Sequence, residues 1–144
     1  VSIGYFYFHY FTTFPRTQSD SFQYALAQAI SYVNAHENEY KKIVFSNTFY
    51  NNDRNPYQSY MFFLSFNRYN PKTYQEQGGT KSGGYGQVHQ FGKFEFRPIV
   101  WKNEKEDKVT LYIGNIEDFP PNALRLFNGT NIDGTAAVLV VKQP

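Results

Sequence analysis

The chain contains no cysteine. Disulfides, thiolate zinc sites and thiol nucleophiles are therefore excluded, although a domain of this size can fold outside the cytoplasm without bridges. Long hydrophobic runs are missing as well. A membrane span needs about 20 mainly apolar residues in succession. The two most apolar stretches, "IGYFYFHYF" near the start and "MFFL" further on, are too short, so these residues are expected to be soluble. Charge is sparse: 14 Lys and Arg against 12 acidic residues give a formal net charge of +2. No block of Lys or Arg lines up as a nucleic-acid groove requires, so no nucleic-acid partner is expected. Neither Met nor a charged-then-apolar leader opens the chain at Val1, so it is expected to be a processed or excised piece of something longer.

What the chain has is rings. Aromatic residues make up 20% of 144 residues and hydrophobic ones 41%, too apolar for disorder and long enough for one domain with a core. Residues 1–15 are aromatic on both alternating faces and end at Pro15, which suggests a first strand or a tether. Several of their rings also recur at i, i+3 and i+4, which leaves a helix open. Phe22, Ala25, Leu26, Ala29, Ile30 and Val33 form one apolar stripe of an amphipathic helix, with Gln23, Gln28 and Asn34 on the wet side. "KKIVFSN" reads as a short buried strand with polar Ser46 and Asn47 at its exit, and a helix followed by a buried strand points to an α/β fold. In "NPYQSYMFFLSFNRYNP", Asn55 as cap and Pro56 at the first position predict a helix of about three turns, ended before Pro71.

Residues 76–92 hold six of the ten glycines and read as a flexible loop. "KFEFRPIVW" and "VTLYIGN" read as strands, separated by the polar turn "KNEKEDK". "IEDFPPNALRLFNG" reads as a short helix begun around Pro120 and Pro121 and closed by Gly129. "NIDGTAAVLVVK" reads as a closing hairpin through Asp133 and Gly134.

The motifs of common chemistries are incomplete. Lys81 follows Thr80 where a P-loop needs Gly, and His89 stands where a dinucleotide fingerprint needs its third glycine. Tyr40 occupies the second-His place of a zinc-protease helix in "HENEY". His9, His36 and His89 lie far apart, Glu104, Glu106 and Asp107 read as a solvated run, and no Ser has a nucleophile-elbow setting. The sequence therefore offers no catalytic residue and no metal ligand. Asn128 heads an "NGT" glycosylation sequon, a pattern common by chance. If the glycine-rich loop meets a ligand, its long polar groups Lys81, Tyr85 and His89 are the substrate-binding candidates. The ring-rich run lacks the interleaved cations of a single-strand binder, so its rings read as core.

The order of phrases resembles the C-terminal extracytoplasmic domain of polyprenyl-phosphate-dependent membrane glycosyltransferases. This is the superfamily of the protein O-mannosyltransferases and the aminoarabinose transferases. The resemblance runs from about Tyr5 to Lys142 and is carried by "YFHYFTTFP", "SDSFQYALAQAISYV", "YKKIVFSN", "NPYQSYMFFLSFNRYNPKTYQ", "LYIGNIEDFPPN" and "NIDGTAAVLVV". Ala25 and Leu26-Ala27-Gln28 depart from the Gly and Lys-Glu usual there. The resemblance implies that residues 1–144 form one α/β domain, a three-layer Rossmann-like sandwich with a mixed sheet and no cofactor of its own. It implies a place on the extracytoplasmic face of an integral membrane protein, packed on the transmembrane portion of the same polypeptide. That portion would transfer a sugar from a polyprenyl-phosphate carrier to a lipid or protein acceptor, with this domain shaping access. The fragment alone is expected to be inactive. The rival expectation is a free-standing carbohydrate-binding or adhesion module using Tyr57, Tyr60, Tyr85 and Trp101.

Overall fold

The computed structural model describes residues 2–19, 21, 23–50, 56–77, 88–104 and 108–144. The chain begins with a helix rather than a strand: α1 (Ser2–Phe8), a π-helical turn (His9–Thr13) and α2 (Phe14–Thr17) run on without a break. The wide turn precedes Pro15, whose ring clashes with the carbonyl four residues back. There the Phe14 N–H reaches back five residues to the His9 carbonyl, a local widening that makes room. None of the residues in these three elements is buried.

The amphipathic stripe becomes α3 (Tyr24–His36), which buries Ala25, Leu26, Ala29, Ile30 and Val33 as its spacing requires. Gln28, expected on the wet side, is half-buried and donates from Nε2 to the Thr130 carbonyl at 2.9 Å. Then come β1 (Lys42–Phe45) and a small separate hairpin of β2 (Thr48–Tyr50) and β3 (Pro56–Gln58). The helix expected from Pro56 therefore starts later, as α4 (Ser59–Phe66), because Pro56 is taken into strand pairing with Tyr50. Asn55 lies outside the described residues. The Asn-Pro start signal works one motif on. Asn70 caps α5 (Pro71–Glu76), its Oδ1 accepting from the Lys72 N–H at 2.9 Å, with Pro71 in the first turn.

Three more strands and a closing pair complete the sheet: β4 (His89–Phe91), β5 (Phe94–Phe96), β6 (Thr110–Asn115), β7 (Leu124–Thr130) and β8 (Ala136–Lys142). The order across the sheet is β4-β5-β1-β6-β8-β7. The centre, β5-β1-β6, is parallel, whereas the β4/β5, β6/β8 and β8/β7 pairs are antiparallel. The fold is thus mixed α/β around a six-stranded mixed sheet, as the sequence predicts.

Strand alternation sorts the core onto the two faces. Ile43, Phe45, Phe94, Phe96, Leu111, Ile113, Val138 and Val140 point to the face covered by α3 and α4. Val44, Tyr112, Leu139 and Val141 point to the other, where Ile99 and Phe119 close over them with Trp101 and Ala123 alongside. Among the described residues that second face carries single 3-10 turns (Trp101–Asn103 and Ile116–Asp118) in place of full helices.

Two close approaches explain why glycine stands where it does. A Cβ on Gly129 would lie 2.6 Å from the Ala25 carbonyl, so β7 lets the first turn of α3 rest on its backbone. A Cβ on Gly114 would meet the Asp118 carboxylate at 2.6 Å and the Phe119 ring at 3.0 Å. The helix expected around 120–129 is therefore β7 instead. Pro120 and Pro121 lead into it, Gly129 is a packing glycine rather than a helix stop, and the hairpin of β7 with β8 turns through 131–135.

Candidate functional site

In open α/β sheets, ligands bind beyond the carboxyl ends of the parallel strands. Here β1 ends at Ser46 and Asn47, and its parallel neighbour β6 ends at Asn115. The Ser46 N–H donates to the Ile113 carbonyl at 2.7 Å, and the Asn47 N–H donates to the Arg97 carbonyl at 3.3 Å. Ser59, fully buried at the start of α4, donates its hydroxyl to the Ser46 carbonyl and its N–H to the Asn47 carbonyl. The Asp118 carboxylate accepts from the Asn115 N–H at 2.7 Å and from Asn115 Nδ2 at 3.0 Å. Asn115 and Asp118 are the two ends of a capping box around one 3-10 turn.

Burial raises the pKa of Asp118, and the hydrogen bonds from Asn115 and Ser46 pull against it. A half-buried carboxylate at such an edge fits a site. Its donors, however, are those of a structural cap. The sequence signal for it was available as Asn115-x-x-Asp118 directly after a buried strand, yet "IEDFPP" draws attention to the prolines.

Of the three substrate-binding candidates, Lys81 and Tyr85 lie outside the described residues, as do positions 78–87 of the glycine-rich segment. His89 is well placed in β4 and is not a surface group. It is 3% exposed, paired in register with Phe96 and stacked on Tyr60 with ring centroids 3.7 Å apart. Its Nδ1 has no hydrogen-bond partner among the described residues, and burial lowers its pKa. The flanking rings form one cluster: Phe63 lies 4.7 Å from Phe94 and 5.5 Å from Phe96, and Phe91 lies 5.4 Å from Phe96.

The acidic run 104–107 is not simply a solvated loop at its first residue. Glu104 holds Arg97 in a two-pronged pair, Oε1 to Nη1 and Oε2 to Nη2, both at 2.6 Å, with its side chain only 7% exposed. Burial works to raise the Glu104 pKa, but the Arg97 guanidinium and the Tyr112 hydroxyl hold it below the ordinary carboxylate value. Glu95 bridges Lys42 and Arg97 on the same side of the sheet, which extends the network. Glu106 and Asp107 lie outside the described residues.

Of the four stacking residues expected of a sugar-binding surface, Trp101 and Tyr60 are likewise built in, whereas Tyr85 and the Tyr57 side chain lie outside what the structure describes. Trp101 packs edge-to-face on Tyr112 at 5.5 Å and on Phe119 at 5.2 Å. Tyr60 is half-buried against His89. Asn128, head of the sequon, is exposed on β7, opposite Leu139.

Among the described residues, the longest run of exposed large apolar side chains is elsewhere, on the first helix. Ile3, Tyr5, Phe6, Tyr7, Phe8, Tyr10, Phe11 and Phe14 are each 45% to 73% exposed. Phe6, Tyr10 and Phe14 stack in a ladder at 5.6 and 5.8 Å, beside an open surface groove of about 290 Å³ that they line with His9, Thr13 and Thr17. The sequence placed rings here but not their exposure. Among the described residues no helix is long and apolar enough to cross a membrane, and no group of three His, Asp or Glu side chains could hold a metal ion. No protein-family model, curated protein or solved structure matches the chain.

Proposed function

We propose that this chain is the extracytoplasmic domain of a polyprenyl-phosphate-dependent membrane glycosyltransferase, a non-catalytic part that shapes access for the lipid-linked sugar or its acceptor. The observation that carries this reading is the first helix. No Lys, Arg, Asp or Glu occurs before Arg16, the rings point in every direction, and none of residues 2–17 is buried. A helix apolar all round is normally enclosed on all sides. Lipid, or helices within lipid, enclose a helix in that way. At about 1.5 Å per residue, residues 2–17 extend roughly 24 Å, most of the ~30 Å hydrocarbon thickness.

The remainder of the domain supports a non-catalytic role. Among the described carboxylates, Asp118 serves a cap and Glu95 and Glu104 an ion-pair network, and the transfer chemistry would belong to the membrane portion. The test is flotation with neutral phosphatidylcholine vesicles. The chain is expected to float with them, and a Phe8→Glu, Phe11→Glu double variant to stay in the aqueous fraction, because charge in hydrocarbon is costly. A chain that ignores vesicles removes the support for the reading. So does glycosyl transfer from a carrier-linked sugar by the chain alone.

A further inference from the structure

We propose that His89 is a proton-sensitive clasp: its neutral imidazole fastens the edge strand β4 to the sheet, and protonation releases that strand. The inference stands on β4 alone and does not depend on the membrane reading.

β4 is three residues long and, among the described residues, pairs on one side only, with β5. So short an edge strand is held by its inward side chains, and the alternation gives it two, His89 and Phe91, with Gln90 exposed. Phe91 is well provided for among Phe63, Phe94, Phe96, Tyr69 and Tyr74. His89 has one large contact, the face of Tyr60, and an Nδ1 left without a partner. A neutral ring forfeits one acceptor there. An imidazolium would bury a full charge and a second N–H donor, which is far more costly.

Among the described residues, the groups around it offer no compensation. From α4 the titratable neighbour is Tyr60, which presents its ring face and so offsets only part of the cost of a buried cation. From β5 and its end the charged groups are Glu95 and Arg97, which alternate to the opposite face and are engaged there with Lys42 and Glu104. Lys93, in the turn between β4 and β5, reaches the Glu37 carbonyl. From α5, Tyr74 meets Phe91, and Lys72 and Glu76 pair with each other.

With the clasped pKa lowered by burial, the detached strand binds the proton better. The clasp is therefore at full strength above the free-histidine value of about 6.5 and weakens as pH falls through the lowered value.

Amide hydrogen exchange over residues 89–96, corrected for intrinsic rates, tests this at pH 7.5 and 5.0. The wild-type chain is expected to lose protection at pH 5.0, by up to about tenfold for each pH unit between the two pKa values. His89→Phe, which keeps the stack and removes the proton site, is expected to hold its protection. Equal acid loss in both proteins, or none in the wild type, overturns the proposal. Should His89→Phe not fold, the imidazole NMR titration of the wild type decides. A ring that titrates at about 6.5 or above, with β4 still protected, overturns it. A ring that stays neutral until β4 opens upholds it.

Discussion

The chain contains two ring-rich helical runs that composition alone would treat alike. "YFYFHYF" forms α1 and the π turn, and "SYMFFLSF" forms α4. In the first, no residue is buried. In the second, Phe63 is 1% exposed, wedged among Phe45, Phe94 and Phe96. Position accounts for the difference. α4 follows a strand hairpin and is pinned by Ser59 to the exit of β1, so its inward side must face the sheet. The first helix precedes every strand, and its end is fixed to the domain through Ser19, whose Oγ accepts from the Ile132 N–H at 3.1 Å. A run of rings therefore reports apolar demand, and topology decides what meets it.

The sharpest way to break the comparison is to truncate one ring on each side. Phe63→Ala empties the centre of a close-packed cluster and is expected to cost about 3–5 kcal/mol in denaturant unfolding, the range for a buried Phe. A loss below about 1 kcal/mol would mean that α4 is not seated on the sheet as described.

A smaller effect should come from the pin itself. Ser59 is fully buried and donates to the Ser46 carbonyl. Ser59→Ala leaves that acceptor without its donor and is expected to cost about 1–3 kcal/mol. The variant should lose stability without losing cooperativity, since the rings beneath α4 remain in place. If Ser59→Ala is neutral, the Phe cluster alone fixes α4, and the contrast between the runs lies in packing rather than in anchoring.

The sequence made some of this legible and concealed the rest for physical reasons. Period-3.6 burial exposed α3, because Ala25, Leu26, Ala29, Ile30 and Val33 all face one sheet. Period-2 patterns and short apolar runs exposed β1, β5, β6 and β8, and with them the α/β class. The start signal at Asn55-Pro56 misled because a proline also suits the first residue of an edge strand, whereas the identical pair at Asn70-Pro71 does cap a helix. "ALRLFNG" looked helical because Gly129 resembles a helix stop. Its real role depends on the Ala25 carbonyl, more than 100 residues earlier in the chain, which no local pattern contains. The candidate site was half legible. The sequence offers His89 as a group that would face a ligand if the glycine-rich loop meets one, but its burial follows from the register that pairs it with Phe96. Glu104 was read with its acidic neighbours because its partner, Arg97, sits seven residues back across a turn.

The smallest expected effect is the most telling for the first helix. Phe8 is 63% exposed, and no core residue packs on it. Phe8→Ala should leave unfolding in aqueous buffer within about 0.5 kcal/mol of wild type, as for a surface substitution remote from special features. Helix propensity even favours Ala at that position. The same change should weaken vesicle binding, because a buried ring contributes in proportion to the apolar area taken from water. Near-neutrality in buffer joined to a loss on vesicles would separate a surface that serves the fold from one that serves a partner. A cost of several kcal/mol in buffer would mean that this helix folds back onto the domain, and the two runs would then be alike after all.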